Sequence, residues 1–174
     1  MTQFFTNLRL LDPQAGTLEP AAVLVRNGVI AEVLASDATT PDGAEVMDCG
    51  GHILAPGIVD IGVKVCEPGE RHKESYRSAG LAAAAGGVTT MVTRPDTDPA
   101  IDSPETLEFV TRRANEAAPV NVVPMAALTK GREGREMTEI GFLMDAGAAA
   151  FTDCDRVVTD TKVFSLALTY ASSL

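Results

Sequence analysis

The segment between Pro56 and Pro68 constrains the fold of this chain more than any other. From position 58 it reads Ile-Val-Asp-Ile-Gly-Val-Lys-Val-Cys-Glu, and its β-branched run is typical of a buried strand. Because side chains alternate along a strand, one face is expected to be aliphatic and the other mostly polar. The second face comprises Asp60, Gly62, Lys64 and Cys66. The pattern therefore predicts a strand that lines a polar cavity.

The order of the remaining elements predicts an α/β chain with two parts. Residues 1–54 contain short strands, and Asn27-Gly28 is a strong signal for a type I′ hairpin turn. Residues 55–174 alternate between strands and helices, which is typical of a parallel sheet. The predicted strands are Ile58–Val65, Val88–Thr93, Val120–Met125 and Ala148–Phe151. The predicted helices are Glu74–Ala85, a helix capped by Ser103 that runs to Ala117, Glu136–Asp145 and Thr161–Ser172.

Composition limits the partners and the compartment that we expect. The chain has 14 basic and 24 acidic residues, a formal net charge of −10, which argues against nucleic acid as a partner. Three separated cysteines do not suggest a disulfide framework and suit a reducing cytoplasm. No apolar run approaches the roughly 20 residues of a membrane-spanning helix. We therefore expect a soluble, cytoplasmic protein with no membrane partner.

Several motifs together resemble those of the cyclic amidohydrolases, and of dihydroorotases most of all. They are the Pro56-Gly57-x-x-Asp60 strand, the Glu67-Pro68-Gly69 turn, the Gly86–Thr90 strand entry, the Pro95–Pro99 loop and Phe151-Thr152-Asp153. The resemblance implies a β-sandwich portion over residues 1–54 and the first half of a (β/α)8 TIM barrel over residues 55–174. A closed barrel needs eight units and typically about 250 residues, so the chain looks truncated. The alternative is a complete, small, open α/β domain.

The resemblance also identifies the positions where a site would lie, and most of them carry other residues here. Gly62 and Lys64 stand where the family has two metal-binding histidines. Cys66 stands where the family has an arginine that binds the substrate carboxylate, and Asp96 replaces a substrate-binding asparagine. Asp153 matches a family metal ligand. The only histidines, His52 and His72, are too isolated in sequence to indicate a zinc site.

Lys64 decides how these replacements are interpreted. A protonated amine cannot bind a metal, so we expect its charge to substitute for the missing metal and to pair with an inward carboxylate, Asp153. A deprotonated or carboxylated lysine could still act as a ligand. We therefore expect no cofactor and no metal, with Asp153 as the ligand if there is one. Cys66 is expected to be a small, half-buried residue rather than a nucleophile, because the sequence places no base near it.

Two functions remain open from the sequence. In the first, the chain is an inactive dihydroorotase-like protein that serves as a structural or regulatory partner of aspartate transcarbamoylase in pyrimidine biosynthesis, within a homo- or hetero-oligomer. In the second, it is an active zinc-dependent dihydroorotase or cyclic amidohydrolase, which converts carbamoyl aspartate to dihydroorotate. Its altered site would use Asp153, Lys64 and ligands from outside these 174 residues. The resemblance implies both functions.

Overall fold

A computed structural model describes all of the residues from Met1 to Leu174. The chain forms two compact units, Met1–Pro56 and Gly57–Leu174. The sequence prediction placed the boundary after residue 54. None of the helices is long and apolar enough to cross a membrane.

The first unit is a five-stranded sheet. Its strands are β1 (Thr2–Asp12), β2 (Thr17–Arg26), β3 (Val29–Ala35), β4 (Glu45–Asp48) and β5 (Ile53–Leu54). They lie in the order β3-β2-β1-β4, and β5 also pairs with β1. Strands β2 and β3 are antiparallel, and φ is +53° at Asn27 and +79° at Gly28. The predicted hairpin is confirmed, because a type I′ turn needs positive φ at both positions.

The second unit contains a three-stranded parallel sheet and four α-helices. The strands β6 (Ile58–Val63), β7 (Val88–Thr93) and β8 (Asn121–Pro124) lie in chain order. The helices are α1 (Tyr76–Ala85), α2 (Pro104–Ala117), α3 (Ile140–Asp145) and α4 (Thr161–Ala171). The core between sheet and helices includes buried Val65, Tyr76, Met91, Leu107 and Leu143. The predicted alternation of strands and helices is thus present over the first three strands.

Side-chain caps fix where two of the helices begin. The Ser103 hydroxyl accepts a hydrogen bond from the Thr106 amide, and Pro104 occupies the first helical position, as predicted. Helix α1 begins at Tyr76 rather than at the predicted Glu74, because Ser75 and Ser78 form a reciprocal capping box. Both caps use short polar side chains to satisfy amides that have no partner within the helix.

Two predicted elements are shorter than expected. Residues 148–151 form only an isolated bridge, Phe151 to Ala126, so the predicted fourth strand is wrong. The segment still runs beside the end of β8, with a hydrogen bond from the Ala149 amide to the Pro124 carbonyl. Helix α3 begins at Ile140 rather than Glu136, because the Thr138 amide and hydroxyl both donate to the Leu128 carbonyl and Met137 forms a bridge with Thr129.

A bulge at Gly62 alters the faces of β6. Ile61 pairs with Val92, but Val63 pairs with Thr93, so β6 contains one residue more than β7 over this interval. Gly62 has a φ of +94°, which a side chain disfavours. The bulge reverses the alternation, and the strand ends at Val63 rather than Val65. Asp60 pairs with Met91 before the bulge, whereas Lys64 lies beyond the end of the strand, so the regular alternation from which a shared face was predicted does not extend to Lys64.

Candidate functional site

A cleft of about 320 Å3 lies at the carboxyl ends of the parallel strands. Its lining comes from β6 and from the segments that follow β7, β8 and the Phe151 bridge: Gly62, Arg94, Met125, Thr152, Cys154 and Asp155. Loops at this end of a parallel sheet carry the functional residues of α/β barrels. The cleft is therefore the candidate site, although a larger cavity of about 880 Å3 lies at the amino ends of β7 and β8. No charged residue lines that larger cavity.

Two cations beside the cleft share one buried carboxylate. The Asp96 side chain is only 3% exposed, and its Oδ2 lies 3.0 Å from Lys64 Nζ and 2.9 Å from Arg94 Nη2. Lys64 itself is half exposed. The hydrogen bond and the negative charge of Asp96 raise the pKa of the Lys64 ammonium above its ordinary value. The lysine is therefore firmly protonated at neutral pH.

Asp153 has other partners, which corrects the expectation that it balances Lys64. The residue is 5% exposed, and its Oδ1 accepts hydrogen bonds from the Leu128 and Thr129 amides, each at 3.0 Å. Oδ2 accepts the Thr129 hydroxyl at 2.5 Å. The expected Lys64–Asp153 pair is therefore absent, because backbone and hydroxyl donors from the segment after β8 surround Asp153 and Asp96 lies nearer to the lysine.

Arg132 is a further residue near the cleft that the sequence reasoning did not single out. Its side chain is 11% exposed, and Nη1 lies 3.2 Å from Asp155 Oδ1 and 3.5 Å from the Asp153 carbonyl oxygen. Asp155, which is 72% exposed, also lies 3.8 Å from Arg94 Nη2. A signal existed, since Arg132 follows the third predicted strand, and polar residues in such positions gather at one end of a parallel sheet.

The remaining predicted positions take part in none of these ion pairs. Asp60 is exposed and makes no ion pair. Cys66 is a free, partly buried thiol, as expected for a residue with a packing role. His72 lies in an exposed turn, and His52 Nδ1 lies 2.6 Å from the Cys49 carbonyl oxygen in the first unit.

Glu67 anchors the segment between β6 and α1. This carboxylate is 6% exposed, and its Oε1 lies 2.8 Å from Arg113 Nε and 3.5 Å from Arg71 Nε. Its other oxygen accepts the Tyr76 amide at the start of α1. Glu67 therefore links the segment after β6 to helices α1 and α2. In the sequence, Glu67 belongs to the Glu67-Pro68-Gly69 turn that resembles the family motif.

Comparison with solved structures defines the class of fold. The chain matches a D-hydantoinase with a TM-score of 0.78 and 22% identity, over 99% of this chain and 38% of that one. It matches the L-hydantoinase (dihydropyrimidinase) of Arthrobacter aurescens with a TM-score of 0.74 and 23% identity, over 87% of this chain and 32% of that one. The fold of this chain is thus similar to part of the fold of these hydantoinases.

Sequence comparison identifies the family within that class. Residues 51–174 match the dihydro-orotase-like family. The chain is 37% identical over 174 residues to a dihydroorotase of Pelobacter propionicus and 40% identical to one of Bacillus cytotoxicus. These alignments cover all of this chain but only 41% and 40% of the relatives. The chain therefore belongs to the dihydroorotase-like family and spans about 40% of the length of these curated relatives.

The residues present do not fit the zinc ion that the family resemblance implies. Zinc needs several nitrogen, sulfur or oxygen donors around one point, and no group of three or more histidine, cysteine, aspartate or glutamate side chains in the chain could hold a metal ion. Gly62 offers no donor, and the protonated Lys64 would repel a cation. Asp153 already accepts three hydrogen bonds. The donors within these 174 residues therefore do not by themselves make up a zinc site.

Proposed function

We propose that this chain is part of a catalytically inactive dihydroorotase-like protein of pyrimidine biosynthesis. The observation that carries the proposal is the ion pair between Lys64 and the buried Asp96. It puts a positive charge at one of the positions where the family has a metal-binding histidine. A metal lowers the pKa of bound water enough to form hydroxide at neutral pH, and a site without one lacks this route to an activated nucleophile.

The replacements at the two substrate positions support the same proposal. The Cys66 thiol cannot provide the two parallel hydrogen bonds by which a guanidinium binds a carboxylate. Asp96 is an anion whose charge already binds Lys64 and Arg94, so it cannot replace an asparagine that contacts an acidic substrate. The reaction thus has three separate requirements that the residues of this chain do not meet. They are the metal ligands, a guanidinium that binds the substrate carboxylate, and an asparagine that contacts the substrate.

The proposed role is that of a structural or regulatory partner of aspartate transcarbamoylase in the cytoplasm. Within this proposal the strand–helix alternation of residues 55–174 is the first half of an amidohydrolase-type (β/α)8 barrel, and residues 1–54 are a β-sandwich portion. Support comes from the resemblance to non-catalytic members of the family and from the altered site. A protein retained without catalysis is expected to act through assembly, as a homo- or hetero-oligomer.

The activity test uses the whole protein with carbamoyl aspartate and with dihydroorotate as substrates. We expect no interconversion above the uncatalysed rate in either direction, with or without added zinc. A dihydroorotase of Bacillus cereus, a species whose enzyme is 40% identical to this chain, serves as the positive control. Turnover at an ordinary enzymatic rate would overturn the proposal in favour of an active amidohydrolase with an altered site.

The partner test is separate from the activity test. The whole protein and aspartate transcarbamoylase from the same organism are mixed and analysed by sedimentation velocity. We expect a complex that sediments faster than either protein alone. Independent sedimentation at micromolar concentrations would overturn the assignment of this partner while leaving the prediction of inactivity intact.

A further inference from the structure

The segment that follows β8 is an unusual piece of backbone beside the cleft. We call residues 127–134 the Thr129 loop. Its residues Gly131, Arg132 and Gly134 have φ values of +58°, +57° and +73°, all in the left-handed region. For Arg132, a residue with a side chain, this conformation costs about 1 kcal/mol or more. Contacts from elsewhere in the chain must therefore hold the loop in place.

The Asp153 carboxylate supplies those contacts from a distant point of the sequence. It binds the amides of Leu128 and Thr129 and the hydroxyl of Thr129. The same hydroxyl accepts the Gly134 amide at 2.9 Å, so the network extends from Asp153 to the far end of the loop. Thr129 is fully buried, and a carboxylate that accepts several buried donors is a strong local constraint.

The loop in turn places a guanidinium at the edge of the cleft. Arg132 donates to the Asp153 carbonyl and to the Asp155 carboxylate. Arg156 supports the loop from the same side, because its Nη1 donates to the carbonyl oxygens of Gly131 and Arg132 at 3.2 and 3.3 Å. The segment 153–156 and the Thr129 loop are thus joined by side-chain and backbone contacts in both directions.

We infer that Asp153, the position that matches a family metal ligand, is in this chain a positioning residue that clamps the Thr129 loop and sets Arg132 at the cleft. The inference goes beyond the proposed function and does not depend on it, because it concerns what the carboxylate holds rather than what the protein fails to catalyse. Three of the roughly four lone-pair positions of the Asp153 carboxylate already accept hydrogen bonds from this loop.

The test compares Asp153→Asn with Asp155→Asn, a matched change two residues away at an exposed carboxylate. We expect Asp153→Asn to lower the melting temperature by roughly 4–10 °C, and Asp155→Asn to change it by less than about 2 °C. The decrease should be the same in chelator and in added zinc, because the clamp needs no metal. Equal effects of the two variants would overturn the inference, as would a decrease that requires zinc.

Hydrogen exchange provides a second readout, on the unsubstituted protein and on Thr129 variants. We expect the Leu128 and Thr129 amides to be protected without metal, and Thr129→Val to reduce that protection about tenfold or more, whereas Thr129→Ser retains it. Unprotected amides in the unsubstituted protein would contradict the clamp even if Asp153→Asn does not fold. Catalytic turnover would overturn the proposed function without altering any of these results.

Discussion

At the scale of single residues, the ion pair between Lys64 and Asp96 determines the charge of the candidate site. A carboxylate that is 97% shielded from solvent needs a partner, and Asp96 has two, Lys64 and Arg94. The lysine is half exposed, so solvent screens its part of the interaction. The ion pair therefore defines the charge of the site but is expected to contribute little to the free energy of unfolding.

A double-mutant cycle between Lys64→Gln and Asp96→Asn measures the coupling of this pair. We expect a coupling free energy of about 1 kcal/mol at neutral pH, because screening limits the attraction at a half-exposed lysine. The folded-state pKa of Lys64 is raised. The contribution is therefore fully present below the ordinary lysine pKa of 10.5 and is lost as pH rises through the higher folded value. Denaturant unfolding between pH 7 and 11 checks both statements, and zero coupling at pH 7 would contradict them.

The backbone conformation of Gly62 also shapes the site, because this residue forms the bulge in β6. An added Cβ would meet no atom within 4 Å, so crowding cannot explain a loss of stability there. We nevertheless expect Gly62→Ala to cost about 1–2 kcal/mol, because φ is +94°. The control is Gly86→Ala, where φ is −88° and the nearest atom is 3.5 Å from the added Cβ. Equal unfolding free energies for the two variants would contradict the prediction, because they would show that a Cβ at position 62 adds no backbone strain.

At the scale of secondary-structure elements, the turn after β4 depends on Asp48. Its carboxylate accepts the Gly50 amide and the Asn7 side-chain amide, both at 2.8 Å. These two hydrogen bonds, the backbone one first, lower the pKa of Asp48 below its ordinary value of 3.8. Asn7 lies in β1, so the contacts tie the end of β4 to the strand with which it pairs in parallel.

The stability provided by Asp48 should depend on pH with a defined sign. Because its folded-state pKa is lowered, the contribution is present above pH 3.8 and is lost as pH falls through the folded value. We expect Asp48→Asn to melt at a lower temperature than the unsubstituted protein at pH 7, with the difference shrinking below about pH 4. Asp37→Asn, at an exposed carboxylate that makes no side-chain hydrogen bond or ion pair, serves as the control. A difference that is constant from pH 7 to pH 3 would contradict the assignment.

Local signals explain which elements were predictable from the sequence. Asn27-Gly28 and Ser103-Pro104 determine a turn and a helix start through their own backbone preferences, and both are where the sequence places them. The bulge at Gly62 was missed because strict alternation assumes a regular pleat. The partner of Asp153 was predicted wrongly because its donors lie 24 and 25 residues away, and nothing in the sequence reports that approach.

At the scale of the whole molecule, family membership and the altered site lead to different expectations. The chain is about 40% identical to a dihydroorotase, and an active enzyme is the ordinary expectation at that level of similarity. The proposal of inactivity rests on the residues at the strand ends, where Lys64 pairs with Asp96 and the Asp153 carboxylate accepts the Thr129 hydroxyl. Function is carried by the site rather than by the fold, so measurements on the site decide between these two expectations.

The most direct test is to purify the whole protein without chelator and to measure its metal content per chain by elemental mass spectrometry. The account predicts a negligible amount of zinc or other transition metal per chain, before and after incubation with zinc and removal of the excess. An active Bacillus cereus dihydroorotase treated in the same way serves as the comparison. A stoichiometric, tightly held ion in this protein would contradict the central claim, and Asp153→Asn would then show whether Asp153 holds it.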